Sequence, residues 1–332
     1  MKPKVLQLVG DNEMGGIKSA LNSLINSHLS EQFEFLTYTL AESKPILHTL
    51  QADITILHHA CSWRDLSIFW SLRRLTPRSK VVIHEHHYSA GFEQVNVSSL
   101  ARFRLMLKLS YGLADIVVAV SQAQSQWMQQ HQLVSPNKII TIPQCRDLTN
   151  FLSLPSKPIN HPLTLAAYGR FCSQKGFDDL LKAMKLLPPL SVKLHLGGSG
   201  VQYAELQELA AGLNNLQFFG KVTDVPSFLA QCDAVVIPSR WEPWGTVCVE
   251  AKAAGKPVIV SNIDGLTEQV QNCGILVPSQ DCGELAQAIA SLSQQSNQTI
   301  AAWGISGRQS VSDAWEIYLH NWEKLLWDLL KK

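Results

Sequence analysis

The sequence predicts an α/β protein built from two doubly wound, Rossmann-like domains. Three observations carry that prediction. Short apolar, β-branched runs alternate with longer amphipathic segments along most of the 332 residues. The runs are continuously apolar, as strands covered by helices on both faces must be, without the every-second-residue alternation of a half-exposed strand. A stretch holding Pro155, Pro158 and Pro162 divides them into two series of six. Strands alternating with helices imply parallel sheets joined by right-handed crossovers.

In the first series the expected strands are 5–10, 33–39, 54–57, 80–86, 116–121 and 138–143. In the second they are 164–168, 191–196, 216–220, 234–238, 257–261 and 275–277. The prolines between them stiffen residues 150–164 and deny them a helix, as a linker requires. This places a first domain at 1–155, a second at 156–310 and a final helical segment at 311–332. In that segment Trp315, Tyr318, Leu319, Trp322, Leu325, Leu326 and Leu329 fall at helical spacing, an apolar stripe that reads as core. In doubly wound sheets ligands bind beyond the carboxyl ends of the strands, so two facing domains would hold a ligand in the cleft between them.

Composition narrows the function classes. Lys and Arg total 28 against 27 Asp and Glu, a net charge of +1 that excludes a protein made to coat nucleic acid. Seven widely spread cysteines (61, 145, 172, 232, 248, 273, 282) contain no CxxC pair, and read as small buried hydrophobes in a reducing compartment. No signal peptide or membrane-length apolar window is written, so a cytoplasmic protein is expected. One local asymmetry survives the neutral total. Between Cys61 and Gly112 lie Arg64, Arg73, Arg74, Arg78, Lys80, Arg102, Arg104 and Lys108 against Asp65, Glu85 and Glu93, leaving +5. Trp63, Phe69, Trp70, Phe103 and Met106 are interleaved. The plain reading is a solvated rim around core aromatics; the sharper one is weak peripheral contact with the inner face of an anionic membrane or with a lipid-linked acceptor.

The strongest chemical signal is Pro238-Ser239-Arg240-Trp241-Glu242-Pro243-Trp244-Gly245-Thr246-Val247-Cys248-Val249-Glu250-Ala251. A strand ends near Ser239, the chain turns at Pro243 and Gly245, and a helix starts near Thr246. The first-turn N–H groups of that helix lack internal partners and carry the positive end of its dipole, which makes an anion site at the end of a parallel strand. Glu242 and Glu250 bracket it, placed either to accept bonds from sugar hydroxyls or to make structural ones.

Glu-x7-Glu in this setting resembles the retaining glycosyltransferases of family 4, which have the GT-B fold. Tyr168-Gly169-Arg170-Phe171-Cys172-Ser173-Gln174-Lys175-Gly176 is similar to the family's Gly-Arg…Lys-Gly motif, and Leu196-Gly197-Gly198-Ser199-Gly200 to its glycine-rich turn. Phe219-Gly220-Lys221-Val222, Cys232-Asp233-Ala234 and the diglycine Gly15-Gly16 follow the family's order too. The likeness covers about residues 5–280 and is more specific in the second domain.

The resemblance implies a nucleotide-sugar donor bound mainly by the second domain, and a glycan or lipid-linked acceptor bound by the first. Arg170 and Lys175 would neutralise the diphosphate, Glu250 would hold the ribose hydroxyls and Glu242 the donor sugar. Amides of Trp244, Gly245, Thr246 and Val247 would meet phosphate, and those near Val222 the base, uridine or guanosine. Gly169 frames Arg170, while Gly15 and Gly16 would let backbone approach the diphosphate from the other domain. The first domain would supply a histidine near the donor sugar. His86 best matches that position in Lys80-Val81-Val82-Ile83-His84-Glu85-His86-His87-Tyr88, with His84 and His87 as rivals. The run is not HExxH, so no metal ligand is expected there, and with no Asp-x-Asp anywhere in the sequence no metal or other cofactor is expected at all. The segment after Val311 would be the family's C-terminal helix crossing back to the first domain.

Two stretches depart from the family. Pro143-Gln144-Cys145-Arg146-Asp147 stands for Pro-Asn-Gly-Val-Asp, and Asp264-Gly265-Leu266-Thr267-Glu268 for Gly-Gly-x-x-Glu. The expected function is therefore a metal-independent retaining hexosyltransferase of polysaccharide or glycoconjugate biosynthesis. The alternatives are a sugar-nucleotide epimerase of the same fold and a non-catalytic nucleotide-sugar-binding protein. The lack of GxGxxG after the first strand argues against a nicotinamide dehydrogenase.

Overall fold

The structure, a computed structural model, describes residues 1–10, 15–43 and 51–331. The chain forms two compact units. The first holds Met1–Asp147 together with Trp315–Lys332, and the second Leu148–Ala314. All twelve expected strands are present, and each unit has one six-stranded sheet in which every pairing is parallel.

In the first unit the strands are β1 (Lys4–Val9), β2 (Glu34–Thr39), β3 (Ile54–His58), β4 (Lys80–Glu85), β5 (Ile116–Ala119) and β6 (Ile139–Thr141), in spatial order β2-β1-β3-β4-β5-β6. β3 is buried at every residue and β4 at all but its first, which explains their unbroken apolar sequences. The helices Leu66–Leu75 and Leu100–Gly112 cover one face through Phe69, Leu72, Met106 and Leu107.

The helix Ala314–Lys331 completes this unit. Tyr318, Leu319, Trp322, Leu325, Leu326 and Leu329 of its stripe are buried. Trp322 is 1% exposed and stands edge-on to His84, ring centroids 5.1 Å apart. At its far end Trp327 packs on Phe33 and donates to Gln32 Oε1 (3.0 Å), while Gln32 Nε2 donates to Glu323 (2.6 Å).

In the second unit the strands are β7 (Leu163–Arg170), β8 (Val192–Ser199), β9 (Leu216–Gly220), β10 (Ala234–Ile237), β11 (Val258–Ser261) and β12 (Gly274–Val277), in order β12-β11-β10-β7-β8-β9. β7 and β8 run two or three residues further than the sequence suggests. Gly169 pairs with Gly198 and Arg170 with Ser199, so the glycine-rich segment is a strand end rather than a turn. Glycines suit it because these backbones press together: a Cβ on Gly198 would lie 2.0 Å from the carbonyl oxygen of Gly169.

Candidate active site

The carboxyl ends of β7 and β10 gather most of the second-unit residues singled out above. Arg170 is the last residue of β7 and is exposed; it makes no ion pair among the described residues. Lys175 sits in the short 3₁₀ turn Ser173–Lys175, and its stem crosses the bare α-carbon of Gly169. Its Nζ donates to Glu242 Oε2, which also accepts from Ser239 Oγ at 3.1 Å. Both side chains are little exposed, 14% and 12%. Two N–H bonds of the ammonium are left for another acceptor.

The loop from Arg240 to Gly245 is held on several sides. Arg240 donates to Asp178 (2.6 Å), Asp179 (2.8 Å) and the Ser173 carbonyl (3.0 Å), and its own N–H donates to the Gln174 carbonyl. Burial alone would raise the Asp178 carboxyl, but Arg240 and Lys182 outweigh it and hold the group below the usual range. That stabilisation is present above the ordinary Asp range and is lost as pH falls through the depressed value. Asp178→Asn is accordingly expected to lower the melting temperature at neutral pH and to flatten its decline in acid. An unchanged acid limb in a pH series of thermal melts would refute this.

Gly176 shows how closely these loops pack: it has φ +62°, and a Cβ there would come 2.1 Å from the Pro238 carbonyl oxygen. Gly245, at φ +93°, precedes the helix Thr246–Ala253 and has no side chain to cap it. The N–H groups at Thr246 and Val247 thus stay available, on half-buried residues beside half-buried Trp244 and buried Glu242. Four residues further along the same helix Glu250 is buried, with one oxygen accepting from the Tyr168 hydroxyl at 2.8 Å. Val222 lies against Gly197, where a Cβ would be 2.4 Å from its Cγ2.

Asp264 stands where the family has glycine, and it keeps a glycine-like φ of +45°. The strain is offset by a bond that glycine lacks, since the Glu242 N–H donates to Asp264 Oδ2 at 3.0 Å. The sequence marks this aspartate only as a departure, and gives Ser239, Tyr168 and Arg240 no role although they stand in the motif stretches. Tyr168 and Ser239 lie next to Gly169 and Arg240 within those stretches, and that position was the available signal.

In the first unit Gly15 and Gly16 open the helix Gly15–Ile25, both exposed; residues 11–14 before them lie outside the described residues. His86 follows β4. The structure joins it to His84, ring centroids 3.9 Å apart, and to His58 at the end of neighbouring β3, whose Nδ1 is 3.0 Å from His86 Nε2. His58 was not foreseen, because it lies on a different strand. Gln7 Oε1 meets His58 Nε2 at 2.6 Å and Gln144 Oε1 meets His86 Nδ1 at 3.1 Å. His87 turns elsewhere: its N–H donates to Glu85, its ring centroid 6.4 Å from that of His86.

Burial lowers all three histidines, His58 to about 3 and the other two well below the ordinary value. The fold keeps them neutral, so the unfolded chain takes up protons below about pH 6.5 that the folded chain refuses, and stability falls with pH. Glu85, pushed up to about 7 by burial, acts in the opposite sense from about 4.5 to 7, one group against three. Thermal melts should therefore drop as pH is lowered from about 7.5 to 5.5, and His84→Gln should reduce that slope. An equal slope in the variant would refute the assignment.

Residues 155–310 match the family described as glycosyl transferases group 1, and residues 25–150 match Glycosyltransferase Family 4. The chain belongs to the family 4-like glycosyltransferases. Among the relatives of this chain is the N-acetyl-alpha-D-glucosaminyl L-malate synthase of Bacillus anthracis, 25% identical over 90% of the chain and 81% of the relative. An uncharacterized glycosyltransferase of Methanocaldococcus jannaschii is 32% identical over 49% of the chain and 41% of its own length. Against the curated relatives it first matches, the chain spans about two fifths of their length or less. The fold is GT-B. Anabaena HepE, solved with UDP and glucose, superposes with a TM-score of 0.78 over 97% of this chain and 99% of that one at 20% identity. Thermosynechococcus elongatus sucrose-phosphate synthase gives 0.82 over 99% and 100% at 21%.

Proposed function

We propose that this glycosyltransferase moves a hexose from a nucleoside-diphosphate sugar, UDP before GDP, to a glycan or lipid-linked acceptor with retention at the anomeric carbon. The observation that carries the reading is the assembly of exposed Arg170, the Lys175–Glu242 pair and the uncapped helix start at Gly245–Val247 at the ends of β7 and β10. Positive charge fixed where a diphosphate departs lowers the barrier as its charge develops. With that charge supplied by protein, the transfer needs no divalent metal. Glu242 would receive sugar hydroxyls, and Glu250, held by Tyr168, would receive the ribose. Front-face attack, with the leaving phosphate taking the acceptor proton, is the economical route to retention. His86 would lie by the donor sugar, and the first unit would take the acceptor. HepE bound to UDP-glucose and Staphylococcus aureus TarM bound to UDP, both similar in fold, support a uridine donor.

A melting screen against UDP, GDP, ADP and their sugars tests the donor class, since a ligand at 100 times its Kd stabilises by about 2.7 kcal/mol. No shift with any of them would overturn the reading. Proton NMR of the product tests retention, and donor incubated alone separates transfer from epimerisation.

Membrane contact is part of the proposal, on a smaller surface than the charge count suggests. Trp63, Trp70, Leu105 and Leu109 are 41–56% exposed, with Arg74 over the Trp70 ring and Arg102 over that of Trp63. Phe69 and Met106 belong to the core instead, and Arg73 and Arg104 are neutralised by Asp115 and Glu93. No helix among the described residues is long and apolar enough to cross a membrane, and the contact proposed is surface binding. The expected outcome is flotation with anionic but not zwitterionic vesicles, weakened by Trp70→Ala; absence of flotation would discard the contact.

A further inference from the structure

The three histidines of the first unit do more than place one imidazole. One nitrogen from each of His58, His84 and His86 lies within 4.8 Å of the others. Two ligands at ~2.0 Å from a tetrahedral zinc stand roughly 3.3 Å apart, so small ring rotations bring all three into range. They come from the carboxyl ends of adjacent parallel strands, which fixes their separation.

The outer partners decide the chemistry. As placed, the carbonyl oxygens of Gln7 and Gln144 accept from His58 Nε2 and His86 Nδ1. That puts the ring protons on the outside and leaves lone pairs on His58 Nδ1 and His86 Nε2, facing each other at 3.0 Å. Two lone pairs at that distance require something electrophilic between them. A metal ion satisfies both, and outer amides orienting ligand imidazoles are the usual support of such ions. His84 supplies the independent observation. It is 1% exposed, yet both its ring nitrogens lack a hydrogen-bond partner among the described residues.

We propose that His58, His84 and His86 form a binding site for a zinc-class transition-metal ion, with Gln7 and Gln144 orienting two of the ligands. Three neutral imidazoles leave a fourth position for water or another ligand. The ion takes no part in the transfer proposed above. The binding stands whether or not the transfer reading does.

The test uses the full chain, stripped with a chelator and titrated with Zn²⁺ against a chromophoric chelating indicator, then with Co²⁺. Expected is one tight equivalent, and a cobalt spectrum with ligand-field bands and no thiolate charge-transfer band. His58→Gln or His84→Gln should weaken binding by more than ~100-fold, and Gln144→Ala by roughly 10- to 100-fold. Absence of a tight equivalent overturns the site, and so does a thiolate spectrum, which would assign the ion to the cysteines. A flipped Gln7 amide would give a metal-free hydrogen-bond chain, seen as zero equivalents in the wild type. Circular dichroism of each metal-free variant checks its fold, and the wild-type titration and spectrum decide the matter even if a variant misfolds.

Discussion

Replacing Lys175 by alanine is expected to cut the rate of glycosyl transfer by roughly 10²-fold or more, the usual loss when a preorganised contact to developing charge is removed. The expectation rests on where the ammonium is held. It lies almost buried, over Gly169 and against Glu242, with two donors to spare for a diphosphate. The same change leaves the Glu242 carboxylate without its cation, so a lower melting temperature should accompany the lost rate. Arg170→Ala separates the two effects. Arg170 is exposed and makes no ion pair among the described residues, so this variant should lose a similar factor in rate while melting like the wild type. Nucleotide release with the donor found in the melting screen provides the rate. Near-normal turnover in both variants would remove these cations from the chemistry.

Trp322→Ala should be the most damaging single change to stability outside the transfer site. The side chain is 1% exposed and sits between His84 and Tyr318. Emptying such a site costs about 3–5 kcal/mol, a fall of roughly 6–20 °C in melting temperature for a unit of this size. Hydrogen exchange should speed up in the helix Ala314–Lys331 and at the ends of β3 and β4, while the second-unit sheet stays protected. A melting temperature within about 2 °C of wild type would mean that the helix is not part of that core.

Much of this was legible because the deciding signals are local. Buried parallel strands write themselves as unbroken apolar runs, and Arg170, Lys175, Glu242 and Glu250 fall within motifs only a few residues long. The helical stripe from Tyr318 to Leu329 announced a core face for the same reason. What escaped reading depends on juxtaposition across the sheet. Nothing in the sequence ties His58 to His86, Gln7 to His58, or Arg240 to the Asp178–Asp179 pair; parallel register and loop packing do that. The net charge of the basic stretch is smaller in space than in sequence for a related reason. Asp115, which neutralises Arg73, lies just beyond the counted window in sequence but beside it in space. Asp264 was visible as a departure, but only its φ and its bond to the Glu242 N–H show why an aspartate can stand there.

The first unit is assembled from two separated pieces of chain, with the whole of the second encoded between them. During synthesis residues 148–314 emerge as one continuous stretch and can close their core at once. The first unit, although it leaves the ribosome earlier, must wait for Trp322 and its neighbours with one face of its sheet unfinished. Order of translation and order of completion are thus reversed. A chain stopped at Ala314 would release a finished second unit tethered to a first one that still exposes the seat of its missing helix.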